Sequence, residues 1–468
     1  MGRGRTAVVV LALVGLVAAC GSSKGGGGDA AATTAATGGG DTTATTGGGD
    51  TTATTGDASE FVHLDGVPGV TDDAITYSML ATSTAVNPTG SCYLECFADG
   101  VNAYFAYRNS EGGVFGRDLV LADPIDDELG NGQQRALEVA NAGDSFGTFA
   151  AVLLPSVYGP LEDAGIPIYT YLTAPEQAVA PGLFGSPPTS CVACTRMDQA
   201  YAVKATGATK IATLGYAVDS SATCAQAAAD TVEAYSDDLG GAEVVYSNVS
   251  ISFGLPNGLG PEVTAMKDAG VDFVFTCFDQ NGAKALGEEM HRQGLNVPFF
   301  ENESYDQDFI AENAAAFEDA VIVTTIRPAE ADTAGTDREL FEQWMDQTGA
   351  TERTGIASHG WVLAELAYEG LVAAGPEFDR QSVIDATNTI EDYTANGLLA
   401  VPWDVGRQHE TPTQDDPDTH GAVPFCFAML QIHDGAATFV EPSSASEPSL
   451  CWDSRGGPFV DPTPTDVR

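Results

Sequence analysis

Two cysteines three residues apart, Cys191-Val-Ala-Cys194, are the first candidate for chemistry, because a C-x-x-C dithiol on a thioredoxin-like turn exchanges disulfides. This pair follows Ser186-Pro-Pro-Thr189 and no strand-derived active-site turn comes after it, so a structural bridge is expected. His409, Asp415, Asp416, Asp418 and His420 carry metal-ligand atoms without a fixed ligand spacing, and a solvated loop is expected there. Neither a metal nor a cofactor is anticipated. The chain has no G-x-S-x-G elbow, no G-x-x-x-x-G-K-[ST] phosphate loop and no H-E-x-x-H, and its six histidines lie apart. Residue types therefore point away from an enzyme. An extracellular enzyme or redox protein using Cys191 and Cys194 is the weaker alternative.

Cys20 has a different chemistry. Arg3 and Arg5, the apolar run Ala7 to Val17 and the small Ala18 and Ala19 form the three zones of an export signal. The run is too short for a bilayer core, which needs about 20 apolar residues. Leu16-Val-Ala-Ala-Cys20 resembles the bacterial lipobox, which implies that Cys20 is lipidated and becomes the first mature residue. The expected location is the extracytoplasmic face of the cell membrane, held by a lipid anchor. Eight further cysteines remain in a compartment where disulfides persist, and eight thiols allow 105 pairings. The pairs closest in sequence are Cys92 with Cys96, Cys191 with Cys194 and Cys426 with Cys451. Cys224 with Cys277 is expected because a helix start and a strand end would meet.

These residues need elements to position them. Residues 21–60 are a Gly, Thr, Ala and Asp stretch in which TGGGDTTAT occurs twice in tandem, at 37–45 and 46–54. Such a composition cannot offset chain entropy and is expected to be a disordered linker. Beyond residue 70, β-rich runs alternate with helical periodicity, as in βα units around parallel sheets. Strands are expected at 75–80, 119–122, 149–154 and 166–171, with helices at 97–109, 133–141 and 157–163. A second series has strands at 210–214, 243–249, 273–277, 298–301 and 320–326, with helices at 224–239, 261–269 and 282–293. Helices at 338–348, 359–374 and 381–390 and a strand at 425–433 follow, with 405–424 as an exposed loop. The formal charge of −47, from 19 basic against 66 acidic residues, excludes nucleic acid as a partner.

Four segments in this order carry a family resemblance: Asn109-Ser-Glu-Gly-Gly-Val-Phe-Gly-Arg-Asp118, Glu162-Asp-Ala-Gly-Ile-Pro167, Met266-Lys-Asp-Ala-Gly-Val-Asp-Phe-Val274 and Glu289-Met-His-Arg-Gln-Gly-Leu-Asn-Val-Pro298. They resemble the type I periplasmic solute-binding proteins of the branched-chain amino acid receptor class, which feed ABC importers. The resemblance spans residues 70–435. It implies an α/β fold of two Rossmann-like lobes joined by three crossovers, near 190–197, 325–332 and after 375. The implied division is a signal peptide (1–20), linker (21–60), first lobe (61–192 and 329–378) and second lobe (193–328 and 379–468).

The resemblance also implies a site. Ser156 and Tyr158 fall in the loop that holds a ligand carboxylate in that family, and Tyr171 and Thr173 where it places a second contact. In the second lobe, Ser220 and Ser221 and then Phe278 and Asp279 follow strands. Glu303 aligns with the acidic residue that binds a ligand ammonium, with Glu301 as competitor and Tyr305 closing the segment. Trp361, with His359, is a candidate for an apolar wall, with a core position for the tryptophan as the stronger alternative. The implied function is to deliver a small polar ligand, an amino acid or related compound, to an ABC permease, with the chain a monomer. A lipoprotein that senses its ligand and reports to a membrane receptor is the alternative.

Overall fold

Strand β1 (Ala74–Ala81) buries both its faces: Tyr77 and Met79 point into one core and Leu80 into another, the period of two that a central strand requires. In the computed structural model, which describes residues 61–171, 179–186, 191–301, 305–410, 413–416 and 425–468, β1 sits inside a parallel sheet. Its neighbours are β2 (Asp118–Leu121), β3 (Ile125–Asp126), β4 (Gly147–Ala151), β5 (Ile168–Tyr171) and β6 (Leu183–Ser186). The order is β2-β1-β4-β5-β6, with β3 pairing the far end of β1.

Leu80, Ala150 and Ile168 pack on α2 (Gly132–Ala142) and α3 (Tyr158–Asp163), while Tyr77, Phe149 and Tyr169 pack on α1 (Leu94–Ser110) and later helices. After α4 (Met197–Thr206) the second sheet begins. It comprises β7 (Lys210–Tyr216), β8 (Glu243–Ile251), β9 (Phe273–Cys277), β10 (Phe299–Glu301) and β11 (Val321–Thr324), all parallel, in the order β8-β7-β9-β10-β11. Strands β12 (Phe425–His433), β14 (Ser449–Trp452) and β15 (Thr463–Thr465) extend it antiparallel, and β13 (Ala436–Phe439) forms a hairpin on β12. One face is covered by α6 (Gly260–Ala269), α7 (Gln280–Gln293), α8 (Gln307–Glu312) and α9 (Ala314–Phe317), the other by α4 and α5 (Asp219–Ala234).

The chain returns to the first lobe through 325–327, where Ile326 bridges Leu399 and buried Arg327 donates to the carbonyls of Gly397 and Asp332. Helices α10 (Asp337–Thr348) and α11 (Gly355–Ala374) pack on α1. A Cβ on Gly100 would lie 1.9 Å from the Ala357 carbonyl and one on Gly360 2.4 Å from that of Phe97, so α1 and α11 touch backbone to backbone. The expected return to the second lobe at residue 379 is corrected. Helix α12 (Arg380–Thr387) packs on α11, and Arg380 donates to the carbonyls of Phe146, Ser145 and Ala164, all in the first lobe. Gln408, buried in a 3-10 turn (Val405–His409), binds the backbone of Leu183 and Gly185, so the first lobe holds the chain to about residue 409. The start of the expected 405–424 loop is thus packed rather than exposed.

Four disulfides close the described fold: Cys92–Cys96, Cys191–Cys194, Cys224–Cys277 and Cys426–Cys451. Among the described residues no helix is long and apolar enough to cross a membrane.

Candidate functional site

Both sheets reverse their winding direction once, and these reversals decide where a ligand can bind. The first sheet grows from β1 outward to β2 and then back to β4, the second from β7 to β8 and back to β9. Crevices at such points open outside the carboxyl ends of strands. Residues 82–93 and 152–157 leave the first switch point; 217–220 and 278–281 leave the second.

The loop after β1 is built by its own side chains. Ser83 donates to Asp126 at 2.6 Å, and Asn87 accepts from the Thr89 amide and hydroxyl at 2.9 and 2.8 Å while donating to the Ser91 carbonyl at 2.6 Å. Cys92–Cys96 staples its far end to α1. The loop reaches the other lobe. The Asn281 amide, in the first turn of α7, donates to the Thr89 carbonyl at 3.0 Å, and its side chain donates to the Pro88 carbonyl at 3.2 Å. Across the cleft the relation is mirrored: the Gly355 amide that opens α11 donates to the Tyr305 carbonyl at 3.3 Å. First-turn amides lack intrahelical partners, so each lobe satisfies a helix end of the other.

Between these contacts lies an aromatic wall. Tyr93, beside the start of α1, has its ring 5.9 Å from that of Tyr171 at the end of β5, which in turn lies 5.1 Å from the His359 ring on α11. His359 Nδ1 pairs with Ser186 Oγ at 2.8 Å, and burial pushes its pKa down to about 3, so this imidazole is neutral at physiological pH. On the opposite lobe, the Tyr216 ring lies 4.5 Å from Phe278 and 5.1 Å from Phe253, and Gln280 and Glu301 are buried. Tyr171 is the half-buried member of the otherwise buried set of Tyr93, Tyr171 and His359 and can pack against a flat or apolar group.

The expected site residues separate into three groups. Tyr171 lies in the aromatic wall, and Ser156, in a 3-10 turn after β4, and Ser220, in the first turn of α5, are exposed at the switch points. Phe278 and Asp279 also sit at the second switch point, but Asp279 accepts from the Gly282 amide at 2.9 Å as the cap of α7, and burial raises its pKa. Ser221 accepts from the Tyr216 amide and donates to the Cys277 carbonyl, which ties β7 to β9. The Tyr305 hydroxyl donates to Glu330 at 2.7 Å and accepts from the Ala329 amide, so its carbonyl, not its ring, meets the other lobe.

Two assignments are corrected. Tyr158 is in the core between α3 and β5, its hydroxyl 2.9 Å from Thr170 Oγ1, because a side chain at the start of α3 faces the sheet. Trp361 is fully buried, with its indole donating to Asp337 and its ring stacked on Tyr107. His359, two residues earlier on the same helix, takes the wall position. Thr173 and Glu303 lie outside the described residues, as do Cys20, Asp418 and His420. His409 faces Asn388, and Cys191 and Cys194 are joined to each other. Tyr93, Ser186, Thr89 and Asn281 were not anticipated; the turn signature Asn87-Pro-Thr-Gly90 was the available signal.

A family model described as "Periplasmic binding protein" matches residues 88–435. No curated protein matches the chain. Solved structures share its fold. A substrate-binding periplasmic protein from Ralstonia solanacearum is 18% identical with a TM-score of 0.61, covering 78% of this chain and 100% of its own. A branched-chain amino acid transporter substrate-binding protein from Streptococcus pneumoniae, in complex with isoleucine, is 13% identical with a TM-score of 0.61 (78% and 98%). An ABC transporter solute-binding protein from R. palustris, in complex with 4-hydroxybenzoate, is 16% identical, again with a TM-score of 0.61 (85% and 98%).

Proposed function

The chain belongs to the periplasmic binding protein family, and from that premise we propose that it is an extracytoplasmic solute-binding lipoprotein, anchored through Cys20, that presents a small ligand to an ABC importer. The observation that carries this reading is the reciprocal capping across the cleft. Thr89 of the first lobe and Tyr305 of the second each accept from a helix amide of the other, so bringing the lobes together satisfies two otherwise unpaired donors. Hinged closure of two domains around a ligand uses such contacts.

The ligand is an amino acid or a related carboxylate-bearing compound, and one with a planar or apolar body fits best. Tyr93, Tyr171 and the neutral His359 supply an aromatic wall of mutually tilted rings, and aromatic pairs contribute about 0.5–1.5 kcal/mol beyond area burial. The R. palustris and S. pneumoniae proteins hold 4-hydroxybenzoate and isoleucine, two carboxylates with apolar bodies. Ser156, Tyr171, Thr173, Ser220, Phe278 and Glu303 are the proposed contacts.

A thermal-shift panel of amino acids, aromatic acids, amides and polyamines tests the reading. A ligand at 100 times its dissociation constant adds about 2.7 kcal/mol of stability. The expected result is stabilisation by a carboxylate compound, lost in Tyr171→Ala. A panel that leaves the melting temperature unmoved, or a compound consumed on standing with the chain, overturns it.

A further inference from the structure

Outside the cleft, one group of three metal-ligating side chains occurs among the described residues: Glu318, Asp319 and His433, whose ligand atoms all lie within 4.8 Å of one another. His433 ends β12, where the turn Asp434-Gly435 reverses the chain into β13. Glu318 and Asp319 lie between α9 and β11. The sheet fixes both segments. The Asp319 amide donates to the Ile432 carbonyl, the Ile432 amide to the Ala320 carbonyl, and the Asp434 amide to Glu318 Oε2, each at 2.9 Å.

The ring orientation distinguishes this histidine. His433 Nδ1 faces both acids, 3.2 Å from Asp319 Oδ1 and 3.7 Å from Glu318 Oε1. His63 also has two carboxylates near it, but they meet opposite ring nitrogens, Asp72 on Nδ1 and Asp65 on Nε2, so no single ion can join them. Tetrahedral zinc with bonds of about 2.0–2.1 Å sets its ligand atoms about 3.3 Å apart, close to the two distances at His433. Glu318 and Asp319, though not His433, also line a cavity of about 310 Å³ together with His291, Met290, Leu295 and Phe299. The three side chains are each between 39% and 48% exposed, so an ion reaches them from solvent and water can supply a fourth ligand.

We propose that Glu318, Asp319 and His433 form a site for one divalent transition-metal ion. The mixed nitrogen and carboxylate donors select zinc over calcium or magnesium, which take oxygen ligands. The ion would join the loop before β11 to the β12–β13 hairpin, on the second lobe and independently of the cleft.

The test is calorimetric titration of zinc chloride into the untagged full chain at pH 7.5, with 150 mM salt and excess calcium to occupy scattered acidic groups. One zinc per chain is expected, with affinity reduced at least about tenfold in His433→Ala and in Asp319→Asn. His63→Ala should keep the wild-type titration, and circular dichroism checks that each variant is folded. No stoichiometric zinc, unchanged affinity in folded His433→Ala, or loss of the site in His63→Ala would each overturn the assignment and leave an ion-paired histidine.

Discussion

Gly90 and Asn281 meet across the cleft, and their substitution separates closure from folding. Asn281 donates from its side chain to the Pro88 carbonyl at 3.2 Å, a neutral bond worth about 0.5–1.5 kcal/mol net. If it forms only when the lobes close, Asn281→Ala weakens ligand binding roughly 2- to 12-fold and leaves the melting temperature of the unliganded chain nearly unchanged. Gly90 has a positive φ of +88°, and a Cβ there would sit 2.7 Å from both Cγ and Oδ1 of Asn281. Gly90→Ala therefore carries two costs. Backbone strain of about 1–2 kcal/mol is present whether or not the lobes meet and lowers the melting temperature. The clash exists only in the closed form and lowers affinity further than Asn281→Ala does. Removing the Asn281 side chain removes the clash, so Gly90→Ala made in the Asn281→Ala background should cost little additional affinity. The assay is calorimetric titration with the compound identified by thermal shift, on wild type, both single variants and the double variant. Additive affinity losses would refute the contact, because non-additivity is the mark of groups that touch. A fall in affinity matched by an equal loss of unliganded stability would refute its restriction to the closed form.

Arg327, 1% exposed, donates to the carbonyls of Gly397, Asp332 and Val467 and pairs with Asp466; Arg327→Ala should destabilise by about 3–5 kcal/mol, read from urea unfolding. Glu365 is buried, and desolvation, followed by the nearby Asp337 charge, raises its pKa well above the ordinary 4.5. A carboxyl raised on folding favours the fold below its unfolded value and loses that contribution as pH rises, so Glu365→Gln should gain more in melting temperature at pH 8 than at pH 5. His359 runs the other way: its pKa is lowered to about 3 by burial, so its contribution is full above 6.5 and falls on acidification toward 3. Replacing it with Gln should flatten the loss of stability between those pH values, measured by melting at half-unit steps. Cys20→Ser should move the chain from the membrane fraction to the soluble fraction; retention with membranes would refute the lipid anchor.

Much of the fold was legible because parallel βα units write two periods into the sequence. β1 reads as a short apolar run because both its faces are buried, and the helical spacing of Phe97, Val101, Tyr104 and Phe105 in α1 comes from its one buried face. α4 was missed for the opposite reason. Met197 to Val203 are buried on every side, Asp198 included through its pairing with Arg196, so no polar stripe marks the helix. β6 is four residues with a glycine, too short to carry alternation. The start of α5 was placed five residues late, because Asp219, Ser220 and Ser221 read as a loop until Ser221 is seen to bind the ends of two strands. The site was legible as loops and not as side chains. Sequence order set Tyr158 and Trp361 beside ligand-facing segments, but helix phase, which only packing fixes, turned both inward.

A solute-binding clamp closes its two lobes on a ligand and releases it unchanged. Equilibrium titration of the best-stabilising compound, followed by recovery of that compound from the complex, tests it most directly. One ligand per chain is expected, recovered intact, with affinity falling in Tyr171→Ala and in Gly90→Ala. Chemical conversion of the compound, or full affinity in both variants, would contradict it.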